Sequence, residues 1–538
     1  MEYKLKNNKF YELVRSSFRS VGNRIQNFIG KNLREEIRTK SLEDIKIDIC
    51  QIEDIDDILN YIVGYYNTYY SIHNLNRLMN VAILCRKQDP HSEYSFKIMI
   101  QLYLYLMIRH KEGLNKNVII SDELEIFFLF LNVIQNNISN NQVGQSVKRG
   151  RSDALQSYLN YHFDFRKEIW EYYEIARMFD GEAHEKYGFS IYQNFDKLLY
   201  IICNVKHTSD GLILDIGEFS DSELQKIFGN VNYSKLFISD PYNYDLRYIT
   251  SSLQVLEGAI GIKINSTYFL PTTEHILCNI EQSLINSSKN KGDVLEKELK
   301  IILETNFGVG NVHHSLHLKT IKKEEQDFIV EVGNKILLIE CKARDFKEVP
   351  FNPEVSEERR RQRFKSVILG ASEQAERAKK YILNNEIAIF TDSKGVNERL
   401  KIDNKTIKEV YKVVVTLDDY YDLSEMAINY FKDETRDDLV DTWVVNYFDL
   451  QRILLHSGKD KIFDYIKYRT SGIESIKSLQ VSELAQYGYY ISPNYNFIPP
   501  NGLNIEINLM GRFEDWVIPF DKMKNEYVLN QIGIYKMK

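Results

Sequence analysis

Two different hydrophobic periods divide this chain of 538 residues. From residue 1 to about 285, apolar residues recur every three or four positions, as in "LEDIKIDICQIEDIDDILNYIVGYY", and this spacing predicts a mainly helical region. The apolar stretches 98–108 and 126–134 predict buried helices, because both are too short to span a bilayer. Near "GLILDIGEFSDSELQKIF" we expect a short strand and then a helix capped by Ser220 or Asp221.

The pattern changes after the polar segment 286–293, which predicts a domain boundary. Residues 286–480 alternate between strand and helix patterns, which is typical of an α/β domain. The predicted elements are a helix at 294–305, strands near 312–321, 327–332 and 335–343, a long helix at 357–384, strands at 387–390 and 411–417, and a helix from about 449. Residues 481–538, with the turn signal "IPPNG", predict a small β-rich appendage.

Composition narrows the class of protein only moderately. Hydrophobic residues make up 43% and charged residues 27%, as in ordinary globular proteins. The formal net charge of −7 means that nucleic-acid binding would need local basic patches. The five cysteines are scattered, without a CxxC, which argues against a disulfide framework or cysteine-bound zinc and favours a reducing cytoplasm. The first residues lack an apolar signal core, so we expect no membrane association.

Candidate chemistry lies in "DFIVEVGNKILLIECKA", residues 327–343. Gly333-Asn334 fits a two-residue hairpin turn, which pairs Val332 with Lys335. Counting back along both strands places Asp327 opposite Glu340. Because side chains alternate between the faces of a strand, Lys342 shares the face of Glu340.

Opposed carboxylates destabilise a sheet unless a cation lies between them. A divalent ion that prefers oxygen ligands, Mg²⁺ or Mn²⁺, would convert this repulsion into coordination, and Lys342 could stabilise developing phosphate charge or orient water. Carboxylates, metal and one lysine suit phosphodiester hydrolysis. The plainer alternative is that Asp327 begins an exposed strand and Lys342 neutralises Glu340, since an isolated Glu-x-Lys is common.

The order of the predicted elements gives evidence beyond the Glu-x-Lys tripeptide at 340–342. An acidic helix, "GDVLEKELKIIL", precedes Asp327, and a helix carrying Gln374 follows Lys342. Over residues 290–420 this order resembles the PD-(D/E)xK nucleases, the superfamily with the restriction-endonuclease-like fold. Gln326 stands where the family's name has proline, and the QxxxY spacing of one branch is absent.

The resemblance implies roles for individual residues. Glu296, Asp327 and Glu340 would bind the metal, with Glu298 and Glu304 as competitors of Glu296. Lys342 would assist catalysis. The helix residue Gln374 resembles a glutamine that contacts metal-bound water or substrate in some branches of the family, and it is equally consistent with simple solvation. The basic residues of the segment that follows the hairpin could line a groove for the phosphate backbone or form a solvated helix face: Arg344, Lys347, Arg359 and Arg363.

A second polar cluster is "VHHSLHL" at 312–318. On a regular strand His313 and His317 share a face and His314 points away. Further zinc ligands at known spacings are not evident, so we interpret the segment as a polar strand near the active site.

The sequence therefore predicts a Mg²⁺-dependent nuclease with a helical half that serves recognition, regulation or oligomerisation. DNA is favoured over RNA because most of the resembled family acts on DNA, and its large bacterial members often serve restriction or antiphage defence. The alternatives are a catalytically silent nuclease-like module that binds nucleic acid or scaffolds a complex, and a sensor whose activity lies in the helical half. The sequence is also compatible with a nuclease that needs a partner protein for activation.

Overall fold

The three-dimensional structure is a computed structural model of the full chain. It describes scattered positions between 45 and 82 and at 124, together with residues 55–70, 96–109, 126–134, 168–203, 217–239, 258–264, 266–270, 273–319, 324–343, 365–417, 441–470, 483–491 and 510–532.

The chain divides into two compact units. The first comprises residues 1–166 and 180–284, and the second comprises residues 167–179 and 285–538. The helix Ile169–Met178 therefore belongs to the second unit, although its sequence lies within the helical first half. The division near residue 285 falls inside the helix Thr273–Ser287 and not in the polar segment after it.

Helices dominate the described part of the first unit, as the spacing of apolar residues predicted. They are Ile55–Tyr69, Phe96–Arg109, Asp180–Tyr187, Phe195–Cys203, Asp221–Phe228 and most of Thr273–Ser287, and residues 126–134 are helical as well. Ser220 caps its helix in a reciprocal capping box with Glu223, which confirms the predicted start.

The first unit also contains a four-stranded sheet, of which the spacing of apolar residues predicted only one short strand. Its order is Gly217–Ser220, Thr267–Leu270, Gly261–Ile264 and Phe237–Ile238. These strands have two to four residues, too few for an alternating pattern to stand out.

The second unit is built on a seven-stranded mixed sheet. Its elements are α1 (Ile169–Met178), α2 (Lys291–Phe307), β1 (Val312–Leu318), β2 (Glu325–Val332), β3 (Lys335–Lys342), α3 (Gly370–Asn384), β4 (Ile387–Thr391), β5 (Glu398–Asp403), β6 (Glu409–Thr416), β7 (Thr442–Asn446), α4 (Tyr447–Thr470), α5 (Glu483–Tyr490) and α6 (Met510–Gln531). The strand order is β7-β6-β3-β2-β1-β4-β5.

Strand β3 lies in the interior of this sheet. It pairs antiparallel with β2 and parallel with β6, and β6 in turn pairs parallel with β7. Strands β1, β4 and β5 extend the other side in antiparallel pairs. A central strand is covered on both faces, which explains why β3 reads as a nearly continuous apolar run.

Helices cover both faces of the sheet. On one face, Ala375, Ala378 and Ile382 of α3 pack against Ile329 and Leu338 in a fully buried cluster. On the other face, Phe463 of α4 packs against Tyr411 of β6 and Phe307 of α2. The predicted α/β domain is therefore a three-layer arrangement of helix, sheet and helix.

The predicted β-rich appendage at 481–538 is wrong for the described residues, which form α5 and α6. Along α6, Val517, Asp521 and Val528 are buried at helical spacing, and α6 packs against α1. "IPPNG" at 498–502, the turn signal behind the strand interpretation, lies outside the described residues. Among the described helices, no segment has the length and apolar character needed to cross a membrane.

Candidate active site

The hairpin of β2 and β3 has the predicted register. Gly333, with φ of +61°, and Asn334 form the turn, and the pairs run from Val332–Lys335 to Phe328–Ile339. The ladder stops there, one position before Asp327 and Glu340. The predicted register is therefore confirmed as far as Phe328–Ile339, and the two carboxylates lie one position beyond the last regular pair.

At this point, hydrogen bonds that join side chains of β2 to the backbone of β3 replace the backbone hydrogen bonds between the two strands. The Asp327 Oδ2 atom accepts a hydrogen bond of 2.7 Å from the backbone N–H of Cys341. Next to it, the fully buried Gln326 donates its Nε2 hydrogen to the Ile339 carbonyl at 2.8 Å. The Asp327 carboxylate is thus fixed in a hydrogen-bonding position between the two strands.

The neighbouring strand β1 is also irregular here. Ser315, with φ of +50°, is the only non-glycine residue with positive φ in the described part of the chain. Its register position is opposite Asp327, but the pairing skips from His314–Phe328 to Leu316–Gln326. Such a conformation reverses the alternation of side chains on a strand.

This reversal corrects the expected placement of the histidines. His313 pairs with Ile329 and so points to the face covered by α3. Leu316 and Leu318 also point to that face, so His317, which lies between them, points to the other face. His313 and His317 therefore point to opposite faces and cannot share a metal ion. The Nε2 atom of each histidine lies 3.9 Å from a carboxylate oxygen of β2, in Glu331 for His313 and in Glu325 for His317.

Lys342 joins the two carboxylates of the hairpin. Its Nζ atom lies 3.2 Å from Glu340 Oε2 and 4.0 Å from Asp327 Oδ2. The predicted convergence of the three side chains is therefore present. The side chain of Lys342 is 23% exposed and that of Glu340 is fully buried, so the ammonium group lies nearer to solvent.

One oxygen of this cluster is unsatisfied. Glu340 Oε1 is buried without a hydrogen-bond partner. Burial and the nearby Asp327 charge raise the pKa of Glu340 well above its ordinary value, against the opposing effect of Lys342. Burial also raises the pKa of Asp327, although Lys342 and the Cys341 N–H favour its charged form. The protein therefore compensates the ionised forms of these two carboxyls only in part.

The acidic residue contributed by α2 is Glu296. Burial and then the charge of Asp327 raise the pKa of Glu296 to about 7. Its two competitors are engaged elsewhere: Glu298 with Arg177, and Glu304 with Lys300 on the same helix. Among the three acidic residues considered on α2, Glu296 is thus the one whose charge acts on the hairpin.

These residues fit a divalent cation that keeps part of its water shell. The predicted set of three metal ligands, Glu296, Asp327 and Glu340, is not assembled, because no group of three His, Cys, Asp or Glu side chains close enough to hold a metal occurs in the described part of the chain. Mg²⁺, however, is commonly bound through one or two carboxylates, with water and substrate oxygens completing its shell. Asp327 and Glu340, with the unpartnered Oε1 atom, provide such a pair.

The remaining predicted site residues are not brought into this cluster. Gln374 is half-buried on α3, and no hydrogen bond in the described part of the structure links it to Asp327, Glu340 or Lys342. The four proposed phosphate-groove residues, Arg344, Lys347, Arg359 and Arg363, lie outside the described residues.

Sequence reasoning missed the interaction that holds Asp327 and the strain that accompanies it. Neither the Cys341 N–H bond nor the left-handed Ser315 has a pattern in the strand sequence. The available signal was the polar pair Gln326-Asp327 directly before the apolar run Phe328–Val330. Comparisons of this chain with protein-family models, with curated proteins and with solved structures find no match.

Proposed function

We propose that the second unit is a metal-dependent nuclease that hydrolyses phosphodiester bonds, with the restriction-endonuclease-like fold. The observation that carries the proposal is the convergence of Asp327 and Glu340 on Lys342, with one Glu340 oxygen buried and unpartnered. The order of α2, β1, β2, β3, α3 and β4 supports it, since this is the order on which the resemblance to PD-(D/E)xK nucleases rests.

Each residue of the cluster has a chemical task in this proposal. Asp327 and Glu340 would hold Mg²⁺ or Mn²⁺, with Glu296 adding negative charge from α2. Bound there, the divalent ion would supply Lewis-acid activation of water and of the phosphodiester. Lys342, partly exposed beside both carboxylates, would bind a phosphate oxygen and stabilise the charge that develops there. We propose DNA as the substrate on the strength of the resemblance, with restriction or antiphage defence as the setting.

The alternative is a catalytically silent module that binds nucleic acid or scaffolds a complex. One observation favours it: Lys342 already pairs with both carboxylates, so the three side chains partly satisfy each other. The pairing is incomplete, however, because two carboxylates and Glu296 face one ammonium group.

Cleavage assays on the full chain distinguish these functions. Plasmid DNA, linear DNA and RNA are incubated with Mg²⁺, Mn²⁺ or EDTA, using the wild type, Asp327→Asn, Lys342→Ala and Lys335→Ala. Lys335 is the matched control, because it lies at the other end of the same strand. We expect the wild type to cleave in a metal-dependent way. The cleavage rate should fall at least ~100-fold in Asp327→Asn and in Lys342→Ala and should be unchanged in Lys335→Ala.

Two results would contradict the nuclease proposal. Cleavage that survives in both Asp327→Asn and Lys342→Ala would place the activity elsewhere. No cleavage by any form, together with Mn²⁺ binding that Asp327→Asn abolishes in calorimetry, would favour the silent module.

A further inference from the structure

The helix α2 presents glutamates on both sides of its buried stripe. Leu295, Leu299 and Leu303 form this stripe, and all are buried. At about 100° per residue, Glu296 and Glu298 lie on opposite flanks of it. Whatever binds Glu298 therefore limits the rotation of the helix that presents Glu296 to Asp327.

Glu298 is held by a residue far away in sequence. Arg177, at the end of α1, donates two hydrogen bonds to its carboxylate, at 3.1 Å from Nη1 and 2.7 Å from Nη2. The two residues are 121 positions apart. The Glu298 side chain is only 9% exposed, so this pair is largely desolvated on the carboxylate side. A planar fork on a buried carboxylate fixes direction as well as distance.

The opposite end of α1 is anchored in the interior. Glu171 pairs with the buried Arg452 of α4, and the Trp170 indole N–H donates to Asp521 of α6 at 2.9 Å. The Arg452 guanidinium also lies over the Trp170 ring, 4.9 Å from its centre. Because α1 is fixed at its start, Arg177 at its end is a firm support for α2.

We propose that Arg177 is a positioning residue of the candidate active site, which sets the direction of Glu296 by holding Glu298. This inference rests on the proposed nuclease function. It makes the site dependent on residues 167–179, a segment that is flanked on both sides in sequence by residues of the first unit. A fragment that begins at residue 285 would lack this support.

The test is Mn²⁺ binding by calorimetry on the full-length protein. Arg177→Ala is compared with Arg177→Lys, with the charge exchange Arg177→Glu/Glu298→Arg, and with Lys297→Ala. Lys297 is the control, because it is an exposed cation on the same helix. We expect Arg177→Ala to weaken Mn²⁺ binding about 10- to 100-fold, as loss of a supporting contact usually does, with Lys297→Ala unchanged.

The other variants separate positioning from charge and from general stability. Arg177→Lys keeps the charge but loses the fork, so its affinity should lie between those of Arg177→Ala and the wild type. The charge exchange should recover part of the lost affinity. Amide hydrogen exchange across residues 291–307 should be faster in Arg177→Ala than in Lys297→Ala, with or without metal.

The outcomes also separate this inference from the proposed function. Wild-type protein that binds Mn²⁺, with equal affinity in Arg177→Ala and Lys297→Ala, would overturn the positioning role alone. Wild-type protein that neither binds Mn²⁺ nor cleaves nucleic acid would overturn the nuclease proposal. In that case, amide hydrogen exchange decides whether Arg177 holds α2. Equal exchange in Arg177→Ala and Lys297→Ala would overturn the positioning role as well.

Discussion

Two lysine–carboxylate clusters lie against the seven-stranded sheet and differ in their charge balance. One is the candidate active site around Lys342. The other surrounds Lys412, which pairs in register with Leu338 and is completely buried. Lys412 Nζ lies 2.6 Å from Glu376 of α3 and also pairs with Asp441.

The second cluster is neutralised by the protein itself. Lys379 lies 2.6 Å from Asp441 and Lys380 lies 3.4 Å from Glu376, so three lysines serve two carboxylates. Burial raises the pKa of Asp441, but its hydrogen bonds to Lys379 and Lys412 outweigh this and lower the pKa overall. At the candidate active site, the single Lys342 does not offset burial and mutual repulsion, and the pKa of Glu340 is raised.

This difference separates a structural ion cluster from one suited to bind a ligand. Where the protein provides enough cations, a buried carboxylate keeps its charge and holds the layers together. Where carboxylates outnumber cations, the excess charge lowers stability unless an external cation binds. Four experiments test this distinction and the strand beside the candidate active site.

The largest effect is expected at the balanced cluster. Lys412→Ala leaves Glu376 and Asp441 without their buried partner and should lower the free energy of unfolding by about 3–5 kcal/mol. Lys342→Ala should cost much less, because that side chain is partly exposed and because the raised pKa of Glu340 lets this carboxyl hold a proton once its partner is removed. Urea denaturation in EDTA measures both, and equal losses would contradict the comparison.

The glutamates should respond with opposite signs. In EDTA at alkaline pH, Glu340→Gln removes a carboxylate whose charge is poorly compensated and should stabilise the protein by about 1–2 kcal/mol. Glu376→Gln should destabilise it, because Lys412 loses a partner. Destabilisation by Glu340→Gln would mean that Lys342 alone neutralises the site.

Part of the pH dependence of stability should come from Glu296. Its pKa is raised from 4.5 to about 7, so the folded state retains its proton over that interval when the unfolded chain has lost it. The resulting stability is complete below pH 4.5 and is lost as the pH rises through about 7. Without divalent ions, Glu296→Gln should reduce this decline by about 1 kcal/mol, because solvent screens a half-buried group. Denaturation at pH 5 and pH 8 measures it, and an identical decline in both proteins would refute this origin.

The smallest effect concerns the strained strand beside Asp327. Glycine adopts positive φ without steric cost, so Ser315→Gly should stabilise the protein by up to about 1 kcal/mol. Ser315→Val should destabilise it, because a β-branched residue tolerates this conformation poorly. Thermal unfolding compares the two, and equal melting temperatures would show that Ser315 is unstrained.

Local pattern predicted much of the second unit. The order of helices and strands from α2 to β6 follows from the change in the spacing of apolar residues, although β5 was missed because this short strand has only two buried residues, Leu400 and Ile402. The end of the chain was misjudged, because the buried face of α6 is defined by its contacts with α1, α4 and α5, which no local pattern in the sequence shows. Within the site, Glu296 could be proposed from its helix, but choosing it over Glu298 required knowing where Arg177 lies.

The sequence by itself determined the hairpin register and the shared face of Glu340 and Lys342. A two-residue turn and a period of two are local rules, and they act wherever the strands lie. Tertiary structure decided three things: the placement of Asp327 between the strands, the reversal of side chains at Ser315, and the support of α2 by Arg177. These depend on where chain segments meet across the sheet, and contacts between residues far apart in sequence have no signature in local spacing.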